Sequence, residues 1–128
     1  MDWNIMIDRA WETREKAYAP YSSFAVGAAV ESSDGRIFTG CNVENLSFGL
    51  TICAERVAIG CAIAAGGKSL RRIVVVADTR TPVSPCGACR QVMAEFGVQQ
   101  ILLCNRSEQI LFGLDELLPR SSAGILDR

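Results

Sequence analysis

Two short and almost wholly apolar runs, separated by a helical segment, most constrain the fold of this chain. Residues 73–77 (IVVVA) and 101–104 (ILLC) are typical of strands that are covered on both faces. Between them, Ser84 as N-cap and Pro85 at the first helical position predict a helix that continues to about Phe96. This strand, helix, strand order predicts a sheet sandwiched between helices.

The other elements extend this sheet and its helical layers. In chain order we predict an amphipathic helix from Trp3 to about Ala17, strands at residues 24–32 and 36–43, an alanine-rich helix at 53–65, a strand at 109–112 and a short helix at 114–118. Ser33, Asp34 and Gly35 form a turn signal that predicts a hairpin. We therefore expect residues 1–128 to form a single α/β domain, a three-layer α/β/α sandwich with a mixed sheet of about five strands.

Composition and charge exclude several function classes. The chain has 128 residues and a formal net charge of -1, without the basic footprint that binding to a nucleic acid backbone demands. Its first residues lack the features of a signal peptide, and its apolar runs are too short to span a bilayer. We expect a cytoplasmic protein with reduced cysteines, and neither a nucleic acid nor a membrane as partner.

The chain contains no histidine. A Ser-His or Cys-His nucleophile pair, an imidazole base and a histidine-bound metal are therefore all excluded. A domain of this length can form a hydrophobic core without disulfide bonds. The six cysteines are therefore expected to have a role other than disulfide formation.

Three of the cysteines are placed to bind zinc. Cys86 and Cys89 form a CxxC pattern at the opening turn of a predicted helix, where the helix dipole favours thiolates. Cys53 opens the alanine-rich helix, and the two N-termini converge if both helices pack on one face of the sheet. Three thiolates leave the fourth zinc position open to water, as in catalytic sites. Glu55 lies too close to Cys53 to share the metal and is better placed as a proton carrier.

Other interpretations of these cysteines remain open at this point. A lone CxxC in a cytosolic protein can be a redox pair, although Cys53 and Glu55 would then have no role. A structural zinc site would need a fourth ligand. The remaining cysteines, which are otherwise expected to be small buried apolar residues, could supply it: Cys41, Cys61 and Cys104.

Taken together, residues 53–55 (CAE) and 85–89 (PCGAC) resemble the signature of the zinc nucleoside deaminases, in an all-cysteine version. Residues 19–29 (APYSSFAVGAA) and 40–45 (GCNVEN) are similar to the substrate-side motifs of the small cytidine deaminases. The resemblance implies a cytidine deaminase-like fold, a Zn²⁺ cofactor and a small nucleoside substrate. It also implies hydrolytic deamination of cytidine and deoxycytidine to uridine and deoxyuridine, with release of ammonia.

The resemblance also implies roles for individual residues. Phe24 would stack on the pyrimidine, Asn42 and Glu44 would hold the ribose hydroxyls, and backbone groups of Ala54 and Ser84 would read the base. In this scheme Glu55 moves a proton from the attacking water to N3 of cytosine and then to the departing amine.

Three thiolates on one Zn²⁺ leave a formal charge of about -1, which would weaken the pull of the metal on water. The resemblance places an arginine close to the ligand sulfurs, and Arg56 is the natural candidate to offset this charge. Arg90 is a second candidate, for which an exposed surface position is the stronger expectation.

The small cytidine deaminases are similar to one another in forming homotetramers whose sites are completed by neighbouring subunits. Here no aromatic residue follows Phe112, so either Ile125 or Leu126 would cover the base in place of the usual C-terminal aromatic, or the site would be more open than usual. Phe48 stands where many relatives have tyrosine. These departures leave room for a modified cytidine or a cytosine-containing antibiotic as substrate. A zinc-binding protein without catalysis on the same fold is the alternative from another class.

Overall fold

Five strands form one mixed sheet in the computed structural model, which describes residues 2–121. The strands are β1 Val26–Ser32, β2 Ile37–Cys41, β3 Leu70–Ala77, β4 Gln100–Cys104 and β5 Gln109–Gly113, in the order β2-β1-β3-β4-β5. Only β3 and β4 pair in parallel among these strands. The helices are α1 Asn4–Arg14, α2 Ala54–Ala64, α3 Gly87–Glu95 and α4 Leu114–Leu117, and a short 3-10 turn spans Phe48–Leu50. The sheet and its helices confirm the predicted α/β fold.

The two faces of the sheet bury separate cores. Because side chains alternate along a strand, Ile73 and Val75 of β3 point to the face covered by α2 and α3, whereas Val74 and Val76 point to the face covered by α1. The central run of residues 73–77 is fully buried, as its unbroken apolar character predicts. The site described below lies where α2 and α3 begin, on the first of these faces.

Two glycines allow helices to approach the sheet closely. A Cβ at Gly40 of β2 would lie 2.4 Å from the backbone nitrogen of Ala58 and 2.6 Å from the carbonyl oxygen of Ala54 in α2. A Cβ at Gly27 of β1 would lie 2.1 Å from the carbonyl oxygen of Ala10 in α1. Only glycine fits at such distances, so Gly40 determines how closely the helix that follows Cys53 packs.

The first helix is shorter than predicted, since α1 ends at Arg14 and not near Ala17. The chain turns at this point, and Tyr18 runs beside Val43 as an isolated bridge. The backbone N–H of Tyr18 donates to the Asn42 carbonyl, and the N–H of Glu44 donates to the Tyr18 carbonyl. This pairing draws the segment before β1 alongside the segment after β2.

The predicted N-cap of α3 is wrong. The helix begins at Gly87, and Cys86 is its N-cap, with its sulfur accepting a hydrogen bond from the backbone N–H of Cys89 at 3.4 Å. Ser84 and Pro85 therefore belong to the preceding loop. A cysteine sulfur has taken the capping role that the Ser-Pro pattern normally indicates.

The other three cysteines differ in how deeply they are buried. Cys104 is buried on the α1 face of the sheet, in agreement with a small apolar core residue. Cys41 is half-buried, and Cys61 is exposed on α2, so the expectation of burial is wrong for Cys61. Within residues 2–121, no helix combines the length and the apolar character needed to cross a membrane.

Candidate active site

The N-termini of α2 and α3 converge and bring three thiols together. Cys53 is the N-cap of α2, Cys86 is the N-cap of α3, and Cys89 lies in the first turn of α3. The Sγ atoms of Cys53 and Cys86 are 3.7 Å apart, and those of Cys86 and Cys89 are 3.2 Å apart. All three sulfurs lie within 4.8 Å of one another. Packing of both helices on one face of the sheet produces this convergence.

The thiol cluster fits a zinc ion. Zn–S bonds of about 2.3 Å at tetrahedral angles place two sulfurs about 3.8 Å apart, close to the spacing seen here. No further Cys, Asp or Glu joins this cluster in the part of the chain that the structure describes. The three cysteines considered as a fourth ligand lie elsewhere: Cys41, Cys61 and Cys104. A three-sulfur donor set leaves one coordination position for a reacting molecule.

The three thiols form hydrogen bonds with one another, and one arginine donates to the cluster. The pKa of the Cys53 thiol is lowered, because the Cys89 thiol and the Arg56 guanidinium donate hydrogen bonds to its sulfur. The Nη2 atom of Arg56 lies 3.6 Å from the Cys53 sulfur. No carboxylate within residues 2–121 forms an ion pair with Arg56, so the sulfurs are its charge partners.

Glu55 is buried beside the thiols. It occupies the first turn of α2, two residues after Cys53, and only 4% of its surface is exposed. Burial raises the pKa of Glu55 to about 7, because desolvation disfavours the carboxylate. A carboxyl group that titrates near neutral pH can both accept and donate a proton, which is what acid–base catalysis requires.

A cavity of about 260 Å³ connects the thiol cluster with the substrate-side motifs. Eight residues proposed from the sequence line it: Phe24, Asn42, Glu44, Cys53, Ala54, Glu55, Ser84 and Cys86. Cys89 lies behind Cys86 and is buried, and Arg56 contacts the thiols from outside the cavity lining. The structure thus brings together residues that are separated by up to 62 positions in the sequence, from Phe24 to Cys86.

Asn42 holds the strand end that carries Phe24. Its Nδ2 donates to the carbonyl of Phe24 at 2.7 Å, and its Oδ1 accepts from the backbone N–H of Val26 at 2.9 Å. Phe24 precedes β1, which starts at Val26, and 41% of its surface is exposed. Asn42 keeps one amide hydrogen for a ligand, because each of its two amide contacts uses a single donor or acceptor position.

Glu44 stabilises the turn that precedes Phe24. One carboxylate oxygen accepts from the backbone N–H groups of Tyr21 and Ser22, and the other accepts from the Ser22 hydroxyl. The next residue, Ser23, has a φ of 58°, a left-handed conformation that is costly for a residue with a Cβ. These hydrogen bonds therefore help to hold an unfavourable turn, and they keep the pKa of Glu44 below its usual range.

Five other cavity residues were not predicted from the sequence: Ser22, Val26, Thr51, Val75 and Val83. Val26 follows Phe24 by two residues where the chain enters β1, and extended backbone places side chains at this spacing on the same side, which was a usable signal. Ser22 lies in the turn that precedes Ser23, so the folded turn and not a spacing brings it to the cavity. Thr51 and Val83 lie in loops, and Val75 lies in the middle of a buried strand, so only the tertiary structure reveals that they line the cavity.

The other residues considered from the sequence lie outside the cavity lining or outside the described residues. Arg90 donates from Nε to the Pro85 carbonyl at 2.9 Å and from Nη1 to the Leu117 carbonyl at 2.8 Å, so it is neither an exposed surface arginine nor a partner of the sulfurs. Phe48 is exposed, with its ring 5.7 Å from that of Tyr21. Ile125 and Leu126 lie outside the described residues.

Comparisons with known proteins agree with this site. Residues 3–105 match the cytidine and deoxycytidylate deaminase zinc-binding region. A cytidine deaminase from Sporosarcina psychrophila is 50% identical over 107 residues, covering 82% of this chain and 79% of that protein. A cytidine deaminase from Mycobacterium tuberculosis is 44% identical over 126 residues, covering 91% of this chain and 94% of that protein. The crystal structure of cytidine deaminase from Burkholderia pseudomallei has a TM-score of 0.89 at 47% identity, covering 94% of this chain and 98% of that chain.

The match spans far more than half of the chain and includes both halves of the cysteine signature. It confirms the resemblance drawn from residues 53–55 and 85–89. The chain therefore belongs to the family of zinc-binding cytidine and deoxycytidylate deaminases.

Proposed function

We propose that this protein catalyses the hydrolytic deamination of cytidine and deoxycytidine, releasing ammonia and forming uridine and deoxyuridine. One observation carries the proposal: two thiols of the cluster, Cys53 and Cys86, and the buried carboxyl of Glu55 line the same cavity as three residues suited to a nucleoside, Phe24, Asn42 and Glu44. A metal centre, a proton carrier and groups suited to a flat base and a sugar thus lie within one small volume.

Cys53, Cys86 and Cys89 would hold the zinc ion. When bound, zinc supplies a nucleophile at neutral pH by lowering the pKa of water in its open position. Arg56 would offset the negative charge of three thiolates through its contact with Cys53.

Glu55 would carry the protons of the reaction. It would accept a proton from the attacking water and donate it to N3 of cytosine. It would then move the hydroxyl proton to the amine that leaves from C4. The burial of Glu55 supports this role, since the carboxyl titrates near neutral pH and is shielded from bulk water.

The other cavity residues would recognise the nucleoside. Phe24 offers an aromatic face to the base, and the backbone groups of Ala54 and Ser84 lie at the cavity wall as hydrogen-bonding partners for its edge. Asn42 and Glu44 would bind the ribose hydroxyls with the capacity that remains after they hold the Tyr21–Phe24 turn.

The test compares ammonia release from cytidine by the wild-type protein and by Glu55→Gln, with zinc quantified in both preparations. We expect steady turnover with about one zinc per chain in the wild type. The Glu55→Gln variant should retain zinc and lose turnover by roughly 10²- to 10⁴-fold, because the amide cannot carry a proton. Glu95→Gln, at the exposed end of α3, is the matched control and should behave as wild type. Full zinc without turnover in the wild type would overturn the proposal.

The proposal extends to assembly as a homotetramer in which neighbouring subunits complete each site. Large apolar side chains are exposed in the segment between Glu44 and Thr51, which both line the cavity, including Leu46 at 78% and Phe48 at 72%. Such a cluster is typical of surfaces that contact another chain. Sedimentation of the purified protein should give a mass of four subunits, and Leu46→Asp should reduce it. A wild-type monomer would contradict this part of the proposal.

We also place the protein in the cytoplasm, without a nucleic acid or a membrane as partner. All six cysteines are free, as is typical of proteins from a reducing compartment. The net charge of -1 does not suit an electrostatic contact with a phosphate backbone.

A further inference from the structure

The loop between β3 and α3 carries part of the proposed site but has little support from its own backbone. Val83 and Ser84 line the cavity, and Cys86 follows at once. Within the described residues 2–121, no turn or loop hydrogen bond between backbone groups involves residues 79–85. Pro82 and Pro85 lack an N–H group, which further limits such bonds. Side chains must therefore hold this loop.

Asn105 anchors the first half of the loop to the rest of the sheet, and within that half the Thr79 hydroxyl donates to the Thr81 carbonyl at 2.6 Å. It directly follows β4, and the parallel pairing of β3 with β4 brings the ends of these two strands to the same edge of the sheet. Its Nδ2 donates to the carbonyls of Thr79 and Arg80, both at 3.0 Å. Only 7% of the surface of Asn105 is exposed.

The side-chain oxygen of Asn105 accepts hydrogen bonds from a second loop. Oδ1 of Asn105 accepts from the backbone N–H of Ser107 at 2.9 Å and from that of Glu108 at 2.6 Å, which stabilises the turn between β4 and β5. Both amide hydrogens point to one loop and the oxygen points to the other. An asparagine is required for this arrangement, because aspartate has no hydrogen to donate to the two carbonyls.

The second half of the loop is held independently. Arg90 donates to the Pro85 carbonyl at 2.9 Å, so the backbone next to Cys86 has its own anchor. Loss of the Asn105 contacts would therefore free residues 79–84 while Cys86 stays in place. The cavity wall would move at Ser84, and the zinc ligands would not.

We propose that Asn105 is a positioning residue for the reaction, which sets the location of Ser84 at the cavity wall by anchoring the Thr79–Arg80 carbonyls. Asn105 does not itself line the cavity. This inference rests on the proposed function, in which the backbone of Ser84 contacts the base. Displacement of a positioning group by about 1 Å can cost up to roughly 10²-fold in rate.

The test uses Asn105→Asp, which keeps the shape and the acceptor and removes both donors. We expect kcat/KM for cytidine to fall roughly 10-fold or more, mainly through a higher KM because a displaced Ser84 backbone holds the base less well, with one zinc per chain retained. Tryptic cleavage after Arg80, an exposed residue of the anchored loop, should accelerate relative to the wild type, because loss of the anchor makes this segment more mobile. Ser107→Ala is the matched control, since it leaves both anchoring bonds in place.

Asn105→Ser covers the case in which the aspartate variant does not fold. A serine hydroxyl can still accept from the β4–β5 turn but is too short to reach Thr79 and Arg80. An unchanged KM in a folded variant, or a KM that rises only with loss of zinc, would overturn the proposal. If the wild type itself does not deaminate cytidine, the proposed function fails, and the rate of tryptic cleavage after Arg80 still tests the anchor.

Discussion

The two ends of the cavity are built in different ways. At the thiol end, Cys53, Glu55 and Cys86 lie at the N-termini of two helices that pack on the sheet. At the opposite end, Phe24 and Glu44 lie on loops that are held by hydrogen bonds from side chains to backbone. The residues proposed for metal binding and proton transfer are therefore positioned by regular backbone, and those proposed for substrate binding are positioned by side chains that also support the fold.

This difference predicts different consequences of substitution. A side chain at the thiol end can be changed with little effect on local structure, because the helix backbone stays in place. At the loop end, the side chains that hold the turn are the ones proposed to bind the substrate, so substitution should change both. The predictions below run from the largest expected effect to the smallest.

Cys86→Ser should have the largest effect. Serine is a strong N-cap, so α3 should still form, but its hydroxyl does not replace a thiolate as zinc ligand. We expect loss of bound zinc and of turnover, with an unchanged circular dichroism spectrum. Cys61→Ser, at an exposed position of α2, is the control and should keep both zinc and activity. A Cys86→Ser variant with full zinc would break the comparison, since it would show that the helix N-termini do not form the metal centre.

Phe24→Ala should have an intermediate effect on binding. Loss of an aromatic platform costs about 1–3 kcal/mol for a stacked base. We expect the KM for cytidine to rise by the corresponding factor, with zinc retained. Because Phe24 is partly exposed, the Tm should change little. Phe24→Tyr keeps the ring and should restore the wild-type KM. An alanine variant with wild-type KM would show that the base does not stack here.

Glu44→Gln should have a smaller effect at neutral pH, raising KM by up to about tenfold, the equivalent of about 1.4 kcal/mol. The glutamine can still accept from the backbone N–H groups of Tyr21 and Ser22, but it loses the charge that strengthens these bonds.

Comparison of the wild type with Glu44→Gln also tests how the KM for cytidine depends on pH through the Glu44 carboxylate, which we expect to be a weaker effect. Hydrogen bonds from Ser22, first through its hydroxyl, hold the pKa of Glu44 below its usual range. A lowered pKa means that the support of the turn is complete above the ordinary carboxyl pKa and is lost as the pH falls through the folded-state value. The KM of the wild type should therefore approach that of Glu44→Gln in acid. A constant ratio of the two KM values across this range would contradict the assignment.

Much of the thiol end could be predicted because it depends on local patterns. Two patterns predict helix N-termini: the CxxC at residues 86–89 and the cysteine that precedes an alanine-rich helix. The continuous apolar runs of β3 and β4 indicate a covered sheet, and a covered sheet leaves few ways to place two helices on one face. The N-cap of α3 could not be predicted correctly, since Ser84 and Cys86 can both cap a helix and only the folded loop chooses between them.

The loop end was less predictable in physical terms. Phe24, Asn42 and Glu44 were recognised through their motifs, but their hydrogen bonds depend on the pairing of Tyr18 with Val43, which is a long-range contact. Arg90 was expected on the surface, and the position of α4 gives it the Leu117 carbonyl as partner. Asn105 carries no sequence signal beyond a polar residue after a strand, because its two loops meet only in the folded sheet.

The sequence by itself determined the order of the strands and helices, the absence of imidazole chemistry and the three thiols with their neighbouring carboxyl. These features depend on residue type and short spacing. Only the tertiary structure decided which helix approaches the sheet closely at Gly40, which side chains hold the loops, and how residues 24, 42, 44, 55 and 84 come to share one cavity. Such features require contacts between distant parts of the chain, and these contacts form only when the sheet brings the strand ends together.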